Sequence, residues 1–429
     1  MKIIVGLTLF TLIGISTFEP SSVLGDEGEV VLSSSPLSLE QVLGVVQREN
    51  PEIRAARERW RAFAARVSQA ATPDKPRVDF ERMFAPQGDN VWSDAGEKNV
   101  VISQGIPFPT TLYLSGRRAR EEADAAEAAY RSKEQDVLSR TKQAYAQLYL
   151  SRHAIHIFEE YVDLMGQFSK VAEAKYAAGK GASVDALKAH VELSKMLNEL
   201  VTLQQEKETN EAWLNTLLNR PPESPLGWPE DPNPQPVRLD LGALETQALA
   251  ERPDLREAAF ALDKSRTDVA LGRSTYLPDI MLQYRRRDME NGVDSHDAMV
   301  GFTVPLWFWK QGAQVREARA ERDMAQAEYQ SMKNRTLFDV KSFLVKVQTA
   351  QRLVELYQTS VLPQAEQALK ISEAAYRADK MGFLDLLDAV RSLLQFRLEH
   401  YEHLAQYDQF KAELERVVGV PFVSKELVR

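Results

Sequence analysis

Apolar residues recur along this chain with two periods. From about Thr111 to Ala178 the spacing is seven: Tyr130, Val137, Ala144, Phe158, Met165 and Ala172 share one stripe, and Leu148, Ile155 and Val162 a second. From about Gln311 to Ala378, Val340, Val347, Val354, Val361 and Ala368 form a stripe beside Phe343, Ala350 and Tyr357. Such a repeat holds a seam on one side of a helix, so both stretches predict long coiled-coil helices. At 1.5 Å per residue each would reach roughly 100 Å. Pro363 has no N–H to donate and predicts a kink in the second. Each long helix ends in a reversal. Gly179-Lys180-Gly181-Ala182-Ser183 offers a left-handed glycine followed by a serine cap, and Asp379-Lys380-Met381-Gly382 stands in the equivalent place. Helices from Val184 to Asn219 and from Leu384 to Val418 are expected to run back.

The second period is two. Residues 76–86 and 98–107 alternate, as do 278–288 and 297–306, with Val78, Phe80, Ile280, Leu282, Tyr284, Val300, Phe302, Val304 and Leu306 on the apolar side. Loops rich in Gly, Asp and Asn join each pair, which predicts two β-hairpins. Each strand is long enough to cross a bilayer when tilted. Ahead of each hairpin the pattern is helical. Ser38 can cap a short helix, with Gln41 at the capping-box position. Asn50-Pro51 and Arg252-Pro253 then break the chain, because a residue before proline avoids helical geometry. A further helix follows, to about Ala71 or Ser274.

These elements occur twice, about 200 residues apart. "SLEQVLGVVQRENPEIRAA" from Ser38 returns as "DLGALETQALAERPDLREAA" from Asp240, and Ala172-Glu173-Ala174-Lys175-Tyr176 as Ser372-Glu373-Ala374-Ala375-Tyr376. Leu217-Leu218-Asn219-Arg220-Pro221 answers Val417-Val418-Gly419-Val420-Pro421. The expected organisation is a leader at 1–25, a first repeat at 37–220, a proline-rich linker at 221–239 and a second repeat at 240–422. The leader reading rests on Lys2, the apolar run Ile3 to Ile15 and the compact residues Val23-Leu24-Gly25.

Composition narrows the function. After the leader no window is apolar enough for a spanning helix, so a membrane location requires a β-barrel. The chain has no cysteine, which excludes disulfides, thiol catalysis and a lipid-bearing N-terminal Cys. A net charge of −9 argues against a nucleic-acid partner. No nucleophile motif, phosphate loop or triad is present, so neither an enzyme nor a cofactor is expected. Four strands cannot close a barrel, whose practical minimum is about eight, and open edges are not tolerated in lipid. Further chains must complete it.

Helix, hairpin, long helix and reversing helix, twice over, resembles the TolC family of outer-membrane efflux proteins. The likeness covers about Leu37 to Phe422, and "ENPEIRAA", "GIPFP", "VGFTVPLWFWKQG" and "AAYRADKMGFLDLLDA" resemble the family's blocks. The resemblance implies a mainly α fold with a small β part: a homotrimer with a twelve-stranded barrel in outer-membrane lipid and a periplasmic α-barrel. It also implies passive conduction, driven by an inner-membrane transporter of the RND type through a periplasmic adaptor. The tip residues Gly179, Lys180, Gly181, Ser183, Lys380, Met381 and Gly382 would then dock the adaptor. Asp185, Asp379, Asp385 and Asp388 would form acidic rings narrowing the tunnel; the plainer reading of Asp185 and Asp385 is favourable interaction with a helix N-terminus. Trp307, Phe308 and Trp309, with Phe108 and Tyr113 in the first half, suit a membrane-interface belt or packing at the strand–helix junction.

His153/His156 and His400/His403 share helix faces at i,i+3, a spacing able to offer two ligands to a metal, although a polar face is the simpler reading. "VPLWFWKQG" and the short C-terminus resemble the heavy-metal branch, so metal cations are the favoured cargo. A multidrug or type I secretion channel is the alternative, and a secreted coiled-coil scaffold outside any membrane is a second.

Overall fold

The computed structural model describes Leu32 and residues 36–84, 95–231, 240–289 and 294–422; the expected leader and part of the proline-rich linker lie outside them. Helices α1 (Leu39–Glu49) and α2 (Pro51–Ala70) lead to strands β1 (Arg77–Phe84) and β2 (Ala95–Ile106), then to α3 (Pro109–Ala177) and α4 (Ser183–Leu217). The same order returns as α5 (Leu241–Glu251), α6 (Pro253–Ser274), β3 (Asp279–Met289), β4 (Asp294–Thr303), α7 (Phe308–Leu356), α8 (Leu362–Arg377) and α9 (Phe383–Val418). A π-helical turn, Tyr357–Val361, joins α7 to α8. None of the described helices is long and apolar enough to cross a membrane.

The two helix breaks before proline are held by different chemistry. Asn50 caps α2: its Oδ1 accepts from the N–H groups of Glu52 (2.9 Å) and Ile53 (3.2 Å), while its Nδ2 donates to the Leu217 carbonyl at the end of α4 (2.8 Å). Arg252, at the matching position, is buried and reaches sideways to Thr336 (3.2 Å) and Asp339 (3.1 Å) on α7. Two expected serine caps are absent. Ser38 stands at the N-cap of α1 but its hydroxyl makes no capping bond, whereas Asp240 caps α5 through the Ala243 N–H (2.9 Å). Ser183 is already inside α4; Ala182 occupies the N-cap with extended backbone.

Both reversals close as expected for a left-handed terminus. Gly179 has φ 71°, and the Lys180 N–H returns to the Lys175 carbonyl at 2.8 Å. In the second repeat the left-handed residue is Asp379, φ 59°, and Gly382 is instead the extended N-cap of α9. Gly181 is needed for closeness: a Cβ there would stand 3.1 Å from that of Lys175.

The seams bury as the seven-residue pattern predicts up to the π turn. Val137, Leu148, Met165, Val340, Val347 and Val354 are buried. From the last residue of that turn onward the pattern fails: Val361 is half-buried, Ala368 is exposed, and Ala365, Ser372 and Tyr376 take the inward positions. A π turn holds an extra residue per turn, which rotates all that follows about the helix axis. The bend expected at Pro363 is therefore a change of ladder before the proline, which then fits the first turn of α8, where no N–H is required.

Three cores result. One joins α1 to the long pair α3 and α4 (Val42, Val46, Val137, Leu148, Leu214), and its counterpart joins α5 to α7 and α9 (Leu244, Ala248, Val340, Leu344, Leu414). The third lies toward the reversals and takes residues from both repeats, among them Phe158, Met165, Met196, Tyr376, Leu386 and Val390.

At the other end the strands form one antiparallel sheet in the order β1-β2-β3-β4. Its middle pair, β2 with β3, joins the repeats, Ile106 facing Ile280 and Glu97 facing Met289. Because facing residues share parity everywhere except past the register shift at Met83/Phe84, even-numbered positions form one face: Phe80 opposite Val100, Ile102 opposite Tyr284, Leu282 opposite Val300, Ile280 opposite Phe302. β4 stops at Thr303, short of the expected 306, since Pro305 cannot donate to a ladder.

Candidate functional site

The sheet presents two unlike faces. The even face is apolar and open, with Phe80 81% exposed and Val300 61%. The odd face carries Arg285 and Arg287, paired with Glu81 (3.9 Å) and Asp297 (2.5 Å). Those arginines belong to the run Arg285-Arg286-Arg287, whose significance sequence reading missed; alternation within a strand is the signal that separates its members. Below the apolar face, Trp307, Phe308 and Trp309 are exposed, the two indoles 5.3 Å apart. Phe108 is half-buried, its N–H 3.3 Å from Asp279, and Tyr113 is exposed. In one chain β1 and β4 are open edges.

At the reversals the two hairpins are tied to each other. Lys175 on α3 contacts Asp379 Oδ1 (2.6 Å), donates to the Tyr376 carbonyl, and lies 4.0 Å from the centre of the Tyr376 ring. That hydrogen bond with Lys175 holds the Asp379 carboxyl below the usual range. Burial pushes the Tyr376 phenol up, helped by the negative charge of Asp185 and Asp379. Further along, Arg391 grips Glu192 with two bonds, Nε to Oε1 at 2.9 Å and Nη2 to Oε2 at 2.5 Å, and depresses its carboxyl. Arg397 on α9 reaches Glu160 on α3 (2.8 Å) and Glu366 on α8 (3.6 Å).

Of the acidic candidates, Asp385 and Asp388 are exposed in the first turns of α9, Asp185 is half-buried, and Asp379 is engaged by Lys175. Gly179, Lys180, Ser183, Lys380 and Gly382 are exposed at the extreme end, with Gly181 and Met381 partly covered. Sequence reading missed Glu192 and Arg391. A charged residue between Ala189 and Met196, on their buried stripe, is the signal that could have found the first.

The His153/His156 and His400/His403 pairs stand apart from this end. His153 packs between Tyr149 (4.3 Å) and Tyr401 (4.5 Å), and burial lowers its basicity. His400 is likewise lowered by burial and by His403, whose ring lies edge-on to Tyr357 at 5.1 Å. Among the described residues no three His, Asp or Glu side chains are grouped to hold a metal.

Asp408 lies in a cleft of about 480 Å³ with Lys142, Tyr145, Tyr149 and Glu415. Burial, then the Glu415 charge, raises its carboxyl from the ordinary 3.8 to about 6, against the pull of Lys411 and Lys142. Below pH 3.8 both folded and unfolded chains hold this proton; as pH rises through 4 to 6 the unfolded chain releases it first, so stability is lost over that window. Asp408→Asn should accordingly stabilise the protein by on the order of 2 kcal/mol above pH 7, with little effect near pH 4. Denaturant unfolding of the detergent-solubilised protein at both pH values checks this; an equal effect at both would refute the burial argument.

Membrane-length strands at one end and tied coiled-coil hairpins at the other define a protomer of an outer-membrane channel. The chain belongs to the outer membrane efflux protein family, whose model matches residues 42–220 and again 244–420. It is similar to the cobalt-zinc-cadmium resistance protein CzcC of Cupriavidus metallidurans, 24% identical over 400 residues that make up 90% of this chain and 91% of that protein. The pyoverdine export outer membrane protein OpmQ of Pseudomonas putida is 22% identical over 392 residues, 83% of this chain and 80% of its own. CusC, solved in studies of folding and transmembrane channel formation, shares the fold with a TM-score of 0.80 at 17% identity, across 89% of this chain and 92% of that one. The protein is thus an efflux channel of the outer membrane with its long helices on the periplasmic side, and not an enzyme; the secreted scaffold is set aside.

Proposed function

We propose that three copies assemble into the passive outlet of a tripartite pump that expels metal cations. The observation that carries the assembly is the four-stranded sheet with an exposed apolar face and two open edges. Lipid admits no unpaired edge, and three copies supply twelve strands. The helical part supports the same reading. Val184, Leu187, Val191 and Val201 on α4 are exposed at coiled-coil spacing, as are Phe338 and Val345 on α7, and neither stripe is covered within one chain.

In this reading the reversals face a periplasmic adaptor, with Gly179, Lys180, Gly181, Ser183, Lys380, Met381 and Gly382 at the contact and an RND-type transporter beneath. Asp385 and Asp388, repeated by threefold symmetry, narrow the tunnel and favour cations; Asp185 and Asp379 add less, the latter because Lys175 offsets its charge. Trp307, Phe308, Trp309 and Phe108 sit at the headgroup level. Metal cargo is supported by the similarity to CzcC along nearly the whole chain. The similarity to OpmQ supports an organic cargo instead. Deleting the gene should sensitise cells to Co, Zn and Cd while leaving tolerance of dyes and detergents unchanged. The reverse pattern refutes the metal reading and favours the organic one; recovery of the protein in the soluble periplasmic fraction refutes the channel.

A further inference from the structure

The chain contains one seam between its two repeats and needs a second between copies. In the first, β2 pairs with β3, and beneath them α3 lies against α6. There Arg118 Nε donates to Asp268 Oδ1 at 2.6 Å, and Lys264 reaches Glu122 at 3.7 Å. The duplication makes this seam a template. Exchanging each element for its counterpart sets β4 against β1 of the next copy, and α7 against α2 of the next copy.

The match extends to single residues. Asp268 lies fifteen residues beyond Pro253, which opens α6, and Arg66 lies fifteen beyond Pro51, which opens α2. Arg118 lies nine residues beyond the first of α3, and Glu317 nine beyond the first of α7. Packing inside each repeat supports the second match. Gly116 on α3 lies against Ala71 at the end of α2, and its counterpart Val315 on α7 lies against Gly272 near the end of α6. Arg118–Asp268 therefore maps onto Glu317–Arg66, with both signs reversed and complementarity kept.

Arg66 and Glu317 are both exposed, and among the described residues neither has an ion-pair partner; Arg66 rests 4.5 Å from the centre of the Phe63 ring. Neither has an opposite charge three or four positions away on its own helix. Glu317 also heads the row of Met324, Phe338 and Val345, exposed at multiples of seven along α7. A charge on an uncovered coiled-coil stripe, answered by the opposite charge on the facing helix, selects partner and register. We infer that Glu317 of each copy pairs with Arg66 of the next, on the periplasmic side just below the barrel. This rests on the assembly proposed above and supplies contact residues for it. First repeats then carry arginine on both seams and second repeats a carboxylate on both. Joining β2 of one copy to β1 of another would set Arg118 against Arg66, so the charges favour alternation of unlike repeats.

The natural chain has no cysteine, so introduced pairs report without background. In outer-membrane preparations, R66C/E317C treated with a short bis-maleimide should give linked dimers and trimers on denaturing gels, and R66C/R118C should give neither. R66E and E317R should each speed dissociation of the detergent-solubilised oligomer by about fivefold, and R66E/E317R should return it toward the original rate. Should the reversed variants fail to assemble, R66Q and E317Q carry the comparison, each with a smaller effect in the same direction. Absence of links between positions 66 and 317 in a conducting oligomer overturns the inference and leaves the channel reading standing. A double exchange no longer-lived than the single variants, or links between copies in R66C/R118C, overturns it equally. An unsubstituted chain that neither oligomerises nor conducts refutes both.

Discussion

Val300→Arg should abolish assembly in the outer membrane, whereas Met299→Arg, one residue earlier, should be tolerated. Val300 lies midway along the apolar stretch of β4, opposite Leu282, and Met299 points to the other face. An arginine at mid-membrane on a lipid-facing position costs about 2–4 kcal/mol per copy, and three copies bear it together. A lumen-facing arginine stays hydrated. Membrane fractionation and a heat-modifiable oligomer on gels read the result. Equal tolerance of both changes, or equal failure, would mean that the two faces have been assigned wrongly. The comparison is informative because the residues are neighbours in the same strand, so backbone propensity and edge position are shared.

Arg391→Glu should loosen the reversal end. The pair it breaks joins α4 of one repeat to α9 of the other, and Glu192 is only 8% exposed. Two carboxylates would then share a site built for a two-bond ion pair. Arg391 itself is partly in water, so the cost is set at about 2 kcal/mol, roughly thirtyfold in the balance between tied and splayed hairpins. Single-channel conductance in planar bilayers should rise, and the doubly exchanged Glu192→Arg/Arg391→Glu protein should return toward the original value. If the single variant conducts as the wild type does, this pair does not restrain the tip. A structural defect alone would lower conductance and would not be repaired by the exchange.

Much of this arrangement is legible in the residues because it depends on local spacing. Alternation at Val78, Phe80, Leu282 and Phe302 finds the even face correctly, and the seven-residue stripes find Val137, Met165, Val340 and Val347. What escapes depends on partners or on backbone state. Val361 and Ala368 continue the repeat on paper, but the π turn that ends at Val361 rotates the helix, and no residue in Tyr357–Val361 announces that turn. Ser183 has the chemistry of a cap yet sits one residue too late, inside α4, with Ala182 at the N-cap. Asp379 reads as a free acid and is bound to a lysine more than 200 residues away. Glu192 and Arg391 find each other only because the two hairpins share a core.

The pairing of β2 with β3 also bears on how the chain is made. Ile106 meets Ile280 and Glu97 meets Met289, so the central ladder closes a loop of more than 170 residues. Non-local pairing of this kind is slow, because loop-closure entropy is lost before any hydrogen bond is gained. The β2 edge of the first hairpin must remain unpaired until the whole of the first repeat and the start of the second, through β3, have emerged. During that interval its apolar strands are open to aggregation, so biogenesis should depend on a factor that shields them.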